Sequence, residues 1–211
     1  MRGKFISFEG GEGGGKSTQA ASLAGYLRGK GLHVIETYEP GGTPQGEALR
    51  DLLVQGEPER WSIMSELLLM TAARIEHINR LIKPALQDGT WVICDRFFDS
   101  TLAYQIIAGG LADTFGLAMV QDFQQKVLDG TIPDITFLLD VPPKAGLERA
   151  QKRGGAARFE KKGAAFHQTV RDAFLAIAAE NPERMVVVEA ENSFEQVRQQ
   201  IESAMQQRFK L

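Results

Sequence analysis

The sequence predicts a three-layer α/β fold, in which a five-stranded parallel sheet carries helices on both faces. Strand-like and helix-like segments alternate along all 211 residues. Two of the strand-like segments are continuous apolar runs that end in aspartate, which is typical of central parallel strands covered on both sides. A glycine-rich loop follows the first strand and precedes the first helix. Strands that alternate with helices in this way are joined by right-handed crossovers, which give a parallel sheet.

The strands are predicted from short runs of apolar and β-branched residues. Glycines flank the first run, and Pro40-Gly41-Gly42 follows the second as a strong break. The two apolar runs that end in aspartate are the third and fourth strands, and a short valine-rich run near the end of the chain is the fifth. The predicted strands span residues 4–9, 32–38, 90–95, 135–140 and 185–189.

Helices are predicted from the spacing of apolar residues and from capping residues. One helix follows the glycine-rich loop at residues 17–30, and a second is expected over about 60–82, where apolar positions recur three to five apart. Pro84 lies just beyond it. The last helix begins at Ser193, because Ser193 and Gln196 have capping-box spacing. Its predicted apolar stripe is Phe194, Val197, Ile201 and Met205.

Domain organisation and composition are those of an ordinary globular chain. Residues 1–211 are predicted to form a single domain, with one polar, basic, glycine-containing excursion at about 151–163 that is expected to act as a lid. The 24 basic and 27 acidic residues give a net charge of −3. That balance favours neither nucleic acid nor a membrane surface as a partner, so an anion site must be local.

The cellular compartment is predicted from three features of the sequence. No apolar run approaches the roughly 20 residues that span a bilayer. The first residues lack the long apolar region of a signal peptide. The single cysteine, Cys94, has no internal partner for a disulfide, which fits a reducing compartment. A cytoplasmic protein is expected.

The glycine-rich loop matches the P-loop pattern G-x-x-x-x-G-K-[ST], between a strand and a helix. Glycines allow backbone N–H groups to surround phosphate oxygens, the lysine reaches the β- and γ-phosphates, and the serine hydroxyl can bind Mg²⁺. The motif predicts a P-loop NTP hydrolase-type fold, and a merely flexible loop is the alternative. By itself it does not separate GTPases, motor ATPases and small-molecule kinases. The predicted ATP-binding residues here are Gly10, Gly11, Glu12, Gly13, Gly14, Gly15, Lys16, Ser17 and Thr18.

A P-loop site also needs a carboxylate at the end of a neighbouring strand to hold the magnesium shell. Asp95 and Asp140 both follow apolar strands, and periodicity does not choose between them. Asp95 is favoured, together with Ser17, because Arg96 follows it and places a cation where a second phosphate could bind. The alternative role for Asp140 is to fix a loop or to cap a helix.

Several further segments carry a resemblance to the bacterial thymidylate kinases over essentially the whole chain. E-P-G-G-T followed by D-R-[YFH] and A-Y-Q is much more specific than the P-loop. The resemblance implies a homodimeric enzyme that transfers the γ-phosphoryl group of ATP to dTMP with Mg²⁺. The segments are Phe8 to Thr18, Glu39-Pro40-Gly41-Gly42-Thr43, Leu67 to Arg74, Asp95-Arg96-Phe97, Ser100-Thr101, Ala103-Tyr104-Gln105 and Leu139-Asp140-Val141.

The acceptor site is predicted from this resemblance and from the chemistry of a monophosphate, which needs arginines that bind phosphate bidentately. Arg96 is expected at the acceptor phosphate with Arg50 close to it, although Arg50 could instead be a solvated helix residue. Arg74 lies within an apolar helical stretch, where a solvated cation would be poorly placed, and it resembles the family arginine that hydrogen-bonds the thymine edge. The amide of Gln105 suits the imide face of the base. The predicted dTMP-binding residues are Glu39, Pro40, Arg50, Met70, Arg74, Arg96, Ser100, Thr101, Tyr104 and Gln105.

Four residues refine the predicted sugar and base contacts. Tyr104 resembles the residue that crowds the 2′ position of the sugar, with a buried core tyrosine as the alternative. Glu12 resembles the acidic residue at the 3′-hydroxyl, with a solvent-facing loop carboxylate as its alternative. Met70 stands where the family usually has a phenylalanine stacked on the base, and a thioether can still pack on a ring face. Tyr38 stands where arginine is common in the family.

The basic lid is expected to supply positive charge during phosphoryl transfer. Arg149 and Arg153 are four residues apart and share one helical face. The resemblance favours Arg153 as the catalytic lid arginine, with Arg149 and Arg158 as phosphate or adenine contacts; a solvated basic run is the alternative. The family often reads D-R-[IF]-E where this chain has Ala157-Arg158-Phe159-Glu160, so Glu160 is the remaining acidic lid candidate. The predicted catalytic residues are Lys16, Arg96, Arg153 and Glu12.

Two other functions remain open on the sequence. The enzyme could phosphorylate another nucleotide or a deoxynucleoside, although Arg74 with Gln105 favours a thymine or uracil face. The chain could also be a nucleotide-dependent switch without phosphotransfer, although the acceptor arginines and the basic lid are not expected in a switch.

Overall fold

The computed structural model describes residues 2–152, 154 and 158–211. All five predicted strands are present in one fully parallel sheet. The sheet order is β2-β3-β1-β4-β5, so the strand that leads into the P-loop is central. This confirms the predicted fold class. The strands are β1 (Phe5–Glu9), β2 (Val34–Tyr38), β3 (Trp91–Asp95), β4 (Ile135–Asp140) and β5 (Met185–Glu189).

Ten α-helices form within these described residues, and they cover both faces of the sheet. Two π-helical segments extend them, Ile78–Ile82 and Leu102–Ile107. The helices are α1 (Lys16–Gly29), α2 (Pro44–Val54), α3 (Ile63–His77), α4 (Lys83–Gln87), α5 (Phe98–Thr101), α6 (Leu111–Phe115), α7 (Leu117–Leu128), α8 (Pro143–Lys152), α9 (Ala164–Glu180) and α10 (Phe194–Phe209).

The helix predicted over 60–82 differs from the observed one at both ends. The observed helix, α3, begins at Ile63, because the hydroxyl of Ser62 accepts a hydrogen bond from the N–H of Ser65 and caps the helix. At its other end, Pro84 does not stop the helix. The π-helical segment shifts the backbone register, so that the N–H of Lys83 bonds to the carbonyl of Ile78, and Pro84 falls in the first turn of α4. A missing N–H is tolerated in a first turn.

The last helix begins where the capping box predicts. The Ser193 hydroxyl accepts from the Gln196 N–H at 3.3 Å, and the Gln196 side chain accepts from the Ser193 N–H at 3.1 Å. Val197, Ile201 and Met205 are buried against the sheet. Phe194 is 49% exposed, so the apolar stripe is buried only from Val197 onwards.

The sheet separates two apolar layers, because successive side chains of a strand point to opposite faces. Ile6 and Phe8 of β1 pack in the cluster that contains residues of α1 and α10. Phe5 belongs to the cluster on the other face, with Ile78 and Ile82. Both layers hold β1 rigidly, and β1 ends at the P-loop.

Membrane insertion is not indicated by the described helices. Within residues 2–152, 154 and 158–211, no helix combines the length and the apolar character needed to cross a lipid bilayer.

Candidate functional site

The P-loop is built around glycines whose conformations or close contacts exclude a side chain. Gly13 has φ +69°, and a Cβ on it would lie 1.9 Å from the carbonyl oxygen of Gly146 in α8. In the reverse direction, a Cβ on Gly146 would lie 2.2 Å from the carbonyl oxygen of Glu12. The loop and α8 therefore meet through backbone alone. Gly15, with φ +84°, is the residue immediately before α1, whose N-terminus favours anions.

Lys16 is the first residue of α1 and points back over the loop. Its Nζ donates to the carbonyl of Gly11 at 2.6 Å, and the residue is only 7% exposed. Burial, together with the nearby charge of Arg96, lowers the pKa of Lys16 to about 8, against the opposing effect of Glu12 and Asp95. Anionic phosphates in the loop would favour the protonated form of Lys16 and raise its pKa.

The predicted metal-binding pair, Ser17 and Asp95, is assembled at the joint end of β1 and β3. The Ser17 hydroxyl donates to the Asp95 carboxylate. On the other side of β1, Asp140 is occupied by a bidentate ion pair with Arg171, at 2.7 and 2.8 Å. Only Asp95 of these two carboxylates therefore contacts the P-loop serine. Among residues 2–152, 154 and 158–211, no group of three or more metal-ligating His, Cys, Asp or Glu side chains occurs.

A cavity of about 600 Å³ lies beside the P-loop. This volume is in the range of small-molecule sites. All ten residues predicted from the sequence to bind the acceptor line it, together with Lys16, Ser17 and Asp95. The sequence did not point to several other lining residues, which are Ala20, Glu36, Thr37, Val54, Phe97 and Phe159.

Arg96 connects the P-loop to the cavity. Its Nη1 donates to the Gly10 carbonyl at 2.9 Å and to the Ser100 hydroxyl at 3.0 Å, and its Nη2 donates to Glu12 at 2.9 Å. The guanidinium carbon lies 5.2 Å from the centre of the Tyr104 ring. Arg96 has φ +69°, a conformation that costs a non-glycine residue about 1–3 kcal/mol. Such a residue is typical of a functional site.

Glu12 is the anionic partner of this arginine. The positive charges of Arg96 and Lys16 overcome the effect of burial and lower the pKa of Glu12 to about 2. The Tyr104 hydroxyl also donates to Glu12, at 2.9 Å. Glu12 is therefore an ionised, hydrogen-bonded group in the wall of the cavity, and the alternative of a solvent-facing carboxylate is wrong.

Glu9, at the end of β1, is a buried carboxyl group that the sequence did not single out. Burial, with a further contribution from Asp99, raises the pKa of Glu9 to about 8. It accepts from the Phe97 N–H at 2.8 Å and from the Ser100 hydroxyl at 2.5 Å. Glu9 thus fixes the backbone that follows Arg96. Its position directly before the first P-loop glycine is the only signal that the sequence offered.

Arg74 is buried in the wall of the cavity, with 2% exposure. Its Nε donates to Glu39 at 2.8 Å, and its Nη2 donates to the Phe97 carbonyl at 3.1 Å and to Thr101 at 3.0 Å. His77, which the sequence left without a role, lies 2.9 Å from the second oxygen of Glu39. Arg74, which is surrounded by apolar residues along its helix, is thus a buried cation that pairs with Glu39.

Arg50 and Met70 line other parts of the cavity. The Nη1 of Arg50 donates to the Pro40 carbonyl at 2.7 Å, and its guanidinium lies 5.1 Å from the centre of the Tyr38 ring. The alternative of a solvated helix arginine is therefore wrong for Arg50. Tyr38, which departs from the family pattern, serves as the surface on which Arg50 packs.

The lid prediction is only partly covered by the structure. Arg153, predicted to be catalytic, lies outside the described residues. Arg149 is in α8 and donates to the carbonyl of Ala190 at 2.8 Å, just after β5. Glu160 is half-buried and, unlike its neighbour Phe159, is not among the lining residues of the cavity.

The prediction for Arg158 needs correction, because this residue does not extend toward the phosphates. Arg158 is 1% exposed, and it donates to the carbonyls of Leu53 and Pro58 at 2.8 and 2.7 Å. Its Nη2 also lies 2.7 Å from a carboxylate oxygen of Glu66. A buried carboxylate and backbone carbonyls outcompete solvent for this guanidinium.

Comparisons with known proteins extend well beyond the P-loop. A family model described as thymidylate kinase matches residues 8–201. The thymidylate kinase of Caulobacter vibrioides is 50% identical over 210 residues, which cover 100% of this chain and 99% of that protein. The thymidylate kinase of Magnetococcus marinus is 46% identical, with 99% and 98% coverage. A crystal structure of thymidylate kinase from Ehrlichia chaffeensis superposes with a TM-score of 0.76 at 36% identity, covering 98% of this chain and 100% of that one.

The state of Lys16 predicts that ATP affinity depends on pH. In the free protein the lysine has a pKa of about 8. Bound phosphates favour the charged form and raise this pKa, so ATP binding takes up a proton near and above pH 8. Affinity therefore decreases as pH rises through 8. Calorimetric titrations in buffers of different ionisation enthalpy measure both the affinity and the proton uptake.

The matched control is Lys16→Arg, which keeps its charge over this range. Its ATP affinity, even if weaker, is expected to be flat between pH 7 and 9.5 on the same titration. Binding by the unmodified protein without proton uptake at pH 8 to 9 would contradict the assignment.

Proposed function

Since this chain belongs to the thymidylate kinase family, it transfers the γ-phosphoryl group of ATP to dTMP and forms dTDP, and we propose that the cavity beside the P-loop holds dTMP during the transfer. The observation that carries this proposal is the convergence of all ten predicted acceptor residues on one cavity that also exposes Lys16 and Ser17. Donor and acceptor phosphates can therefore meet at the P-loop.

The donor is proposed to bind with its triphosphate in the P-loop. Backbone N–H groups from Gly10 to Thr18 surround the phosphates, and Lys16 contacts the β- and γ-phosphates. Ser17 and Asp95 are proposed to hold Mg²⁺, directly or through water, because hydroxyl and carboxylate oxygens are the ligands that this ion accepts in nucleotide sites. When bound, Mg²⁺ would neutralise charge on the β- and γ-phosphate oxygens.

The acceptor phosphate is proposed to bind Arg96, with Arg50 nearby. The attacking oxygen of dTMP is already anionic, so it needs no general base. Catalysis then rests on positioning and on stabilisation of charge as the phosphoryl group passes between the nucleotides. Glu12, which is ionised, orients the Arg96 guanidinium and is proposed to accept a hydrogen bond from the 3′-hydroxyl of the sugar.

The base is proposed to lie between Met70 and the polar groups of Arg74 and Gln105. The Arg74 guanidinium donates hydrogen bonds, and the Gln105 amide is proposed to hydrogen-bond the imide edge of thymine. Tyr104 is 5% exposed and lines the same cavity, where its ring would crowd a 2′-hydroxyl. The hydroxyl of Ser100 accepts a hydrogen bond from Arg96 at the phosphate end of the cavity, and the hydroxyl of Thr101 accepts one from Arg74 at the base end.

The lid remains the proposed source of extra positive charge. Arg153 stays the predicted catalytic lid residue, and Arg149 stays a predicted ATP contact at the end of α8. Their removal by substitution to alanine is expected to lower kcat for dTDP formation; unchanged rates would exclude both.

A homodimer is proposed from exposed apolar residues on two helices that pack together, α3 and α7. Leu68 and Ile75 are seven residues apart on α3, and Met119 and Phe123 are four apart on α7, so each pair shares one face of its helix. These side chains are 38–65% exposed. Exposed apolar groups of this extent favour an interface, and a second copy of the chain is the proposed partner.

A cytoplasmic location is proposed from the single cysteine, because Cys94 is a free and buried thiol. Recovery of the protein outside the cytoplasm after cell fractionation would refute this proposal.

The first test of the proposed site is Arg96→Ala. The kcat/KM for dTMP is expected to fall by about 10³-fold or more, since catalytic arginines in phosphoryl transfer contribute on this scale. ADP release with ATP, Mg²⁺ and dTMP measures the rate. The control is Arg171→Ala, which removes an arginine next to the neighbouring strand end and is expected to leave the rate within about threefold.

A wild-type protein that released ADP with another monophosphate but not with dTMP would refute the acceptor assignment. A nearly normal rate for Arg96→Ala would refute the role of this arginine.

The metal proposal is tested by comparing Asp95→Asn with Asp140→Asn. The Mg²⁺ concentration for half-maximal rate is expected to rise about tenfold or more for Asp95→Asn, because a ligand of the metal shell has lost its charge. Asp140→Asn is expected to leave it unchanged, since that carboxylate pairs with Arg171. A larger effect at Asp140 would reverse the assignment.

The dimer proposal predicts that Met119→Glu combined with Phe123→Glu yields monomers, because charge is expelled from an apolar interface. Sedimentation velocity measures the mass. Phe194→Glu, at an equally exposed aromatic residue on α10, is the control and is expected to stay dimeric. A wild-type protein that sediments as a monomer would refute the proposal.

A further inference from the structure

Glu66 is a buried carboxylate that joins the base end of the cavity to the second half of the lid segment. It lies in the first turn of α3 and is 1% exposed. One of its oxygens accepts a hydrogen bond from the Gln105 amide nitrogen at 3.2 Å. The other lies 2.7 Å from Nη2 of Arg158 and 3.8 Å from Nζ of Lys162. Glu66 therefore forms a buried ion pair with Arg158 and a longer one with Lys162.

This ion-paired carboxylate has consequences for the orientation of Gln105. The two ends of a carboxamide have nearly the same shape, so hydrogen-bond partners decide which end faces which way. A carboxylate can only accept hydrogen bonds, and Gln105 must therefore turn its nitrogen toward Glu66. The amide oxygen is then left for the cavity, which Gln105 lines.

Arg158 keeps this carboxylate in place. Its Nε and Nη1 are bonded to the backbone carbonyls of Leu53 and Pro58, so the guanidinium is fixed before it reaches Glu66. The contact between Arg158 and Glu66 is an ion pair in which both side chains are almost fully buried. Glu66 is thus anchored independently of Gln105, as a positioning group must be.

We propose that Glu66 is a positioning residue that determines which pyrimidine the enzyme accepts. By holding the nitrogen of Gln105, it commits the amide oxygen to the cavity, where an acceptor pairs with the N3–H donor of thymine. Cytosine carries an acceptor at N3, so two acceptors would oppose each other and leave a buried group unpaired. The inference rests on the proposed function, because it requires the base of dTMP to lie at Gln105.

The test is the isosteric variant Glu66→Gln, assayed with dTMP, dUMP and dCMP. A glutamine can donate as well as accept, so the Gln105 amide becomes free to turn over. The ratio of kcat/KM for dTMP over dCMP is expected to fall about tenfold, the size of one hydrogen bond. The ratio for dTMP over dUMP is expected to stay within about twofold, because uracil has the same N3–H. A general loosening of the cavity would instead change both ratios.

A second measurement shows whether Glu66 acts through Gln105. In a Gln105→Leu background, the substitution Glu66→Gln is expected to have no further effect on the dTMP to dCMP ratio. Independent, additive effects would overturn the proposal. An unchanged dTMP to dCMP ratio in the single variant would also overturn it.

Loss of Glu66 alone leaves Arg158 buried without its counter-charge, which could prevent folding. The double variant Glu66→Gln with Arg158→Gln removes both charges and is read by the same two substrate ratios, with circular dichroism to monitor folding. A wild-type enzyme that used dTMP while these variants kept their selectivity would refute only the role of Glu66. A wild type without activity on dTMP would refute the proposed function as well.

Discussion

The ion pair between Glu12 and Arg96 is the contact on which the site depends. It joins the P-loop, which follows β1, to the residue that follows β3, at 2.9 Å. The same guanidinium bonds to Gly10 and Ser100, so the P-loop and the wall of the cavity share one cation. Because both partners are mostly buried, their attraction is weakly screened by salt. The unusual backbone conformation of Arg96 is maintained by this set of contacts.

The sequence predicted the parts of the molecule that depend on local pattern. β4 and β5 have their predicted bounds, and β1 and β3 each begin one residue later than predicted. Apolar runs and glycine breaks are sufficient for such strands because both faces of the sheet are covered. The ten residues predicted to bind the acceptor were found in advance to share one site, and all of them line the cavity. Short segments with a specific family pattern contain nearly all of these ten.

The parts that escaped prediction depend on contacts between distant residues. Arg158 appeared to be a solvated or phosphate-binding lid residue, and nothing nearby in sequence indicates that it pairs with Glu66, ninety-two positions earlier. Glu9 could not be recognised as a raised-pKa carboxyl before its burial was known. Pro84 lies just beyond the helix predicted from the sequence, and the π-helical shift before it explains how the observed helix continues through this proline. Charge within an apolar helical stretch identified Arg74, and the same signal was available for Glu66.

The backbone contact between Gly13 and Gly146 has a consequence for how this protein can vary over time. Neither position tolerates even a methyl group while the opposing backbone stays in place, since an added Cβ would lie 1.9 Å from the Gly146 carbonyl oxygen or 2.2 Å from that of Glu12. The only escape is a concerted rearrangement of the P-loop and α8, which would disturb the triphosphate cradle itself. Neutral substitution is therefore excluded at two positions more than a hundred residues apart. One of them, Gly146, belongs to no recognisable motif.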